Sequence, residues 1–130
     1  MSKRGPSKRG PLEDTVTGYS EDYFLELSRT NPQELLALVR DDRLTPPDMT
    51  FAAELLGETE LAEAKQVLMA MVRRSVDPLS REGGIDGLSW LIGVEDDRDL
   101  REFLAEIAEH DEDPYIRSLA RGYLKEADRP

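Results

Sequence analysis

The residues of this 130-residue chain that could do chemistry are nearly all carboxylates. There is one histidine, His110, and no cysteine. A lone imidazole followed by Asp111 has no second histidine to share a zinc site, and no Ser-His-Asp set can be built on it. At a helix C-terminus, His110 suits the partial negative charge found there. The missing cysteines exclude disulfides and thiolate metal sites. Two turns are crowded with acids: Glu95, Asp96, Asp97 and Asp99 in one, Asp111, Glu112 and Asp113 in the other. Oxygen ligands in such density are calcium chemistry, but EDDRD lacks the alternating ligands and central glycine of an EF-hand loop. The same acids can serve as helix caps. EGGIDG has neither the Lys-Ser/Thr ending nor the preceding strand of a phosphate loop. These residue types predict no enzyme, no metal and no cofactor, and they move the question to binding.

Charge narrows the partner. The net charge is −11, but residues 1–11 hold four cations and no acid. The remaining residues carry 13 cations against 28 acids, a balance of −15. Such a body repels phosphate backbones, which are gripped by Lys and Arg, so nucleic acid is expected at most through the basic end. A protein with a basic patch suits it better. High net charge also serves solubility alone. No apolar run approaches the ~18 residues of a membrane span, and the basic start is followed by no apolar stretch, so it does not read as a secretory signal. A cytoplasmic location is the expectation. Oligomeric state is not legible.

The elements that must position any site are helical. SKRGPSKRGP, from Ser2 to Pro11, is a pentapeptide written twice, rich in helix breakers and without an apolar residue to pack. Residues 1–18 are expected to form a disordered basic tail, and residues 19–130 a helical domain. From Ser20 the apolar spacing is that of helices, with no period-two stretch. Glu21–Arg29 makes a short one. Asn31-Pro32, Asp77-Pro78 and Asp113-Pro114 each place a capping side chain before a proline at the first helical position. The expected pairs are 32–41 with 47–56, 60–75 with 78–92, and 97–110 with 114–127. Gly57 reads as a helix terminator and Gly93 as the close of another.

Two of these hairpins share wording. DPLSREGGIDGL, from Asp77, and DPYIRSLARGYL, from Asp113, agree at their first, second, fifth and last positions. A lone hairpin buries one side of each helix, and stacking about three makes a continuous core. The stretch Asp111-Glu112-Asp113-Pro114-Tyr115-Ile116-Arg117, with Ala120, resembles the entry to the second helix of HEAT repeats. The likeness extends more loosely over residues 32–127, with Ser75 where the middle repeat would have its first Asp. It implies an all-α fold: a short α-solenoid of about three stacked hairpins. It further implies a ladder in which Asp111 and Arg117 link neighbouring repeats, and a concave binding surface lined by the second helices. Iron-dependent hydroxylases built on such repeats use several His-Glu pairs, of which this chain has none.

Candidate partner-binding residues on those second helices are Glu54; Arg81, Asp86, Ser89 and Trp90; and Arg117, Arg121 and Lys125. Gly83, Gly84 and Gly87 fall with Ser80, Leu88 and Leu91 on a face expected to pack inward by close helix approach. Trp90 is expected to pack beside them, with Ile85 and Ile92 further round and Arg121 an ordinary surface cation. The function expected is a non-catalytic adaptor or scaffold. The alternative is an acidic inhibitor or immunity-type protein that blocks a basic enzyme such as a nuclease. An accessory to nucleic acid, acting through the tail, ranks third.

Overall fold

A computed structural model describes residues 20–128; the tail expected over residues 1–18 lies outside them. Among the described residues there are seven helices and no strand: α1 (Glu21–Thr30), α2 (Pro32–Arg40), α3 (Pro46–Glu58), α4 (Ala64–Arg74), α5 (Pro78–Ser89), α6 (Arg98–His110) and α7 (Pro114–Ala127). None is long and apolar enough to cross a membrane. The caps read from sequence are in place. Asn31, Asp77 and Asp113 accept bonds from the backbone N–H of Glu34, Ser80 and Tyr115, each with its proline in the first turn. These side chains satisfy amides that the first helical turn leaves unpaired.

The helices pair as α2–α3, α4–α5 and α6–α7, and the pairs pack in two layers. The second helices α3, α5 and α7 follow one another in one layer, and α2, α4 and α6 in the other. Between the layers lie Leu35, Val39, Leu56, Leu68, Met71, Ile85, Leu88, Leu104 and Ile116, all fully buried. Helix α1 closes the first pair by burying Phe24, whose ring tilts against Phe51 at 6.2 Å.

The tightest seam is α3 against α5, and glycine makes it possible. A methyl group on Gly83 would sit 2.6 Å from the backbone of Thr50, one on Gly87 2.4 Å from the Ala53 carbonyl, and one on Gly57 2.0 Å from the Gly87 carbonyl. The three glycines therefore bring two backbones into contact. Across the same seam Thr50 Oγ1 donates to the Leu79 carbonyl at 2.7 Å. Gly84 faces the other way, onto Val72 and Met71 of α4. Close approach, rather than a groove, is what the glycine-rich stretch provides.

Four sequence expectations are corrected. Gly57 does not terminate α3, which runs through it to Glu58; it is there to clear Gly87. Helix α4 starts at Ala64, not Glu60, because Leu61–Glu63 form a turn that ends with the Ala64 N–H bonded to the Leu61 carbonyl. Helix α5 stops at Ser89 rather than near Gly93; the chain then turns through Gly93 at φ +90° and Glu95 at φ 45°, and the Gly93 N–H donates to Asp97 at 2.6 Å. The rung between pairs is made by Arg81, not Arg117. Arg81 Nη1 donates to Asp111 Oδ2 at 3.0 Å, its Nη2 donates to the other oxygen, and Nε reaches the Val72 carbonyl at 3.3 Å. This holds the Asp111 carboxyl below its ordinary range. Arg117 instead bonds the Asp111 main-chain carbonyl at 2.6 Å, within its own pair. Arg121 is exposed, as expected, and donates to the Ala108 carbonyl at 2.8 Å.

Denaturant melts of four variants check the seam and the rung. Gly83→Ala should destabilise by about 1–3 kcal/mol in denaturant melts, the usual cost of overpacking, despite the better helix propensity of Ala. Gly122→Ala, on α7 with open space around it, should instead stabilise by up to ~1 kcal/mol. Arg81→Ala should cost about 1.5–3 kcal/mol, the range for bonds to a charged partner, and more than Arg117→Ala. The reverse order would return the rung to Arg117.

Candidate functional site

Helical spacing puts Glu54 and Glu58 on one side of α3, and Glu82 and Asp86 on one side of α5. The α3–α5 seam sets these two sides next to each other. The Glu54 carboxyl lies within hydrogen-bond reach of Asp86, with Glu82 and Glu58 close enough to act on it by charge. Helix α7 then supplies two tyrosines. Tyr115 donates to Glu82 Oε2 at 2.7 Å, and Tyr123 donates to Asp86 Oδ1 at 2.5 Å. Ser89 donates to the Asp86 carbonyl at 2.5 Å, one turn further along α5. Three helices from three pairs thus meet in a single acidic patch, half-buried at its centre.

Its electrostatics follow from like charge and partial burial. Desolvation, then the bond to Asp86 and the neighbouring carboxylates, push the Glu54 carboxyl up to about 7. The Tyr123 hydroxyl is pushed up as well, by burial first and by its bond to Asp86 second. The bond to Glu82 does the same for the exposed Tyr115. Around neutrality Glu54 holds a proton for part of the time, and the protonated carboxyl can donate to Asp86. A cation placed between them would relieve the same strain.

The outer line of α5 extends beyond the acids. Leu79, Glu82, Asp86 and Trp90 recur at three- and four-residue steps, and Leu79 and Trp90 at the two ends are 50% and 58% exposed. Trp90 is therefore not packed inward as expected. Helix α5 ends one residue before it, and the indole is left at the edge of the stack. Ile85 is the reverse case, fully buried and absent from any surface, while Ile92 packs partly buried against the core.

Of the candidate residues, Glu54, Asp86 and Ser89 are brought together, with Trp90 beside them at the end of α5. The cations are elsewhere. Arg81 and Arg117 are partly buried and bonded to the Asp111 carboxylate and main-chain carbonyl, while Arg121 bonds the Ala108 carbonyl and stays exposed. Lys125 is exposed in the last turn of α7. Sequence reasoning missed Glu58, Glu82, Tyr115 and Tyr123. The four-residue spacing within each acidic pair was a usable signal; the tyrosines' partners, more than 30 residues away, left none.

Asp97 and Asp99, from the acid-rich turn, are engaged in other ways. Asp97 accepts from Arg101 Nε at 2.9 Å, and Asp99 from Lys65 Nζ at 2.8 Å and Gln66 at 3.3 Å. Among the described residues no three His, Cys, Asp or Glu side chains are grouped so as to hold a metal ion. No family model matches the chain, and no curated protein or solved structure matches it either.

The raised Glu54 fixes a pH dependence. Unfolded, Glu54 loses its proton near its ordinary 4.5; folded, it keeps it to about 7. The folded state thus binds more protons between these values, so its contribution falls as pH rises from about 4.5 to 7 and the penalty is complete above 7. Glu54→Gln should raise Tm at pH 8 and change it little at pH 4. A shift of equal size at both pH values would mean that Glu54 titrates normally.

Proposed function

We propose that the protein is a non-catalytic, HEAT-like binding module of the cytoplasm, and that its α3/α5/α7 layer takes the basic surface of another protein. One observation carries this reading. The carboxylates of that layer face outward as a patch, while two of its arginines, Arg81 and Arg117, are partly buried and bonded within the stack. The surface is left more acidic than the helices' composition alone would make it. The HEAT likeness rests on the Arg81–Asp111 rung, which joins consecutive pairs through an Asp and an Arg at the turns. It rests also on the layering of second helices. Leu79 and Trp90 flank the acids at either end of α5, and an exposed Trp is a favoured anchor at interfaces. The expected contact has a charged centre that speeds encounter and apolar ends that slow release.

A lysine-rich nonapeptide is a suitable first probe, followed by NMR amide shifts. Shifts should concentrate at Glu54, Glu82 and Asp86, and affinity should weaken about tenfold or more between 50 mM and 500 mM salt as screening shortens the reach of the charges. Glu58→Lys combined with Glu82→Lys should abolish the shifts. Salt-indifferent binding that is lost in Trp90→Ala would refute the electrostatic reading and leave an apolar contact.

A further inference from the structure

The other layer holds a second surface of different chemistry. Helices α4 and α6 are fastened to each other near their N-terminal ends, where Lys65 and Gln66 of α4 bond Asp99 of α6. At the far end Arg81 ties the start of α5 to Asp111, just past α6. Between these ties the two helices stand apart and enclose a groove of about 470 Å³. That is within the ~300–1,000 Å³ of ordinary ligand sites, toward the small end. Its floor is apolar: Met69, Val72 and Ile107. Its one large half-open side chain is Phe103, and the Arg73 guanidinium lies over that ring at 4.7 Å. The rim is acidic. Glu102 and Glu106 are exposed, and Glu102 makes no ion pair among the described residues.

We propose that this groove binds a short peptide segment of a partner in which one or two apolar side chains are flanked by Lys or Arg. The apolar side chains fill the space over Met69, Val72 and Ile107. Arg73 swings off Phe103 to admit them. The flanking cations pair with Glu102 and Glu106. Charge complementarity selects this occupant: an apolar segment flanked by acids meets repulsion from both glutamates, and a purely basic one leaves the floor unfilled. The site lies on the opposite layer from the Glu54–Asp86 patch and does not depend on it. A partner engaging both surfaces would gain avidity without any new contact.

The probes are three capped tetrapeptides: acetyl-Lys-Leu-Leu-Lys-amide, its Glu-Leu-Leu-Glu counterpart and its Lys-Ser-Ser-Lys counterpart. Binding is read from the methyl signals of Met69, Val72 and Ile107 in the full chain. The Lys-Leu-Leu-Lys peptide should shift these methyls saturably. The acidic and serine peptides should not do so over the same range. Glu102→Lys, a surface change that leaves the core intact, should weaken the first peptide about fivefold, the upper end for a single exposed ion pair. Unmoved methyl signals, or equal binding of all three peptides, would overturn the proposal. So would binding that emerges only after residues 1–18 are removed, because the occupant would then be this chain's own basic segment.

Discussion

The fold depends on the backbone contact between α3 and α5. Helix axes normally stand 8–10 Å apart because side chains hold them off. Here Gly57, Gly83 and Gly87 remove those side chains along one line, and Thr50, Ala53 and the Gly87 carbonyl fill the space. Each glycine inside a helix costs about 1 kcal/mol relative to alanine. Tight packing and the Thr50–Leu79 bond offset that cost. The same approach fixes what lies outside. With the seam this close, Glu54 and Asp86 cannot avoid each other, and like charges meet at a half-buried point.

The rest of the stack is held by polar ties of varied kinds. Arg74 reaches from α4 to the Val39 carbonyl of α2 at 2.6 Å, Arg81 reaches to Asp111, and Lys65 to Asp99. Each uses a cation from one pair and an oxygen from its neighbour. Two of these ties, Arg81–Asp111 and Lys65–Asp99, take up one acid with each cation, so the surplus of acids in a chain with 17 cations and 28 acids is unchanged by them. Arg81, which joins two pairs through Asp111, is the one of these cations drawn from the α3/α5/α7 layer. The Tyr115 and Tyr123 hydroxyls take up part of the burden by donating to Glu82 and Asp86, and that holds the patch in shape without neutralising it.

Much of this was legible in the sequence, and the division is physical. Caps and apolar stripes are local, so the helices following Asn31, Asp77 and Asp113 could be read where they stand. The inward role of Gly83 and Gly87 followed from their place on the helical wheel. What failed depended on tertiary neighbours. Gly57 looks like a terminator in isolation and is a clearance in context. Trp90 looks like core because it continues the α5 spacing, but the helix stops before it. Arg117 fits a ladder motif, yet Asp111 is already held by Arg81, two helices earlier. The Glu54–Asp86–Tyr123 line joins three pairs, and no local pattern marks it.

A glycine-rich helix, weak by propensity, is made the firmest part of the stack by what it touches. Amide hydrogen exchange on the full chain reads this out residue by residue. Ala52–Leu56 of α3 and Gly83–Leu88 of α5 should exchange slowest, at rates set by global unfolding, and α1 and the last turn of α7 should open first. If Gly83–Leu88 exchange faster than the middle of α7, the glycines mark a loose helix and the seam does not hold the fold.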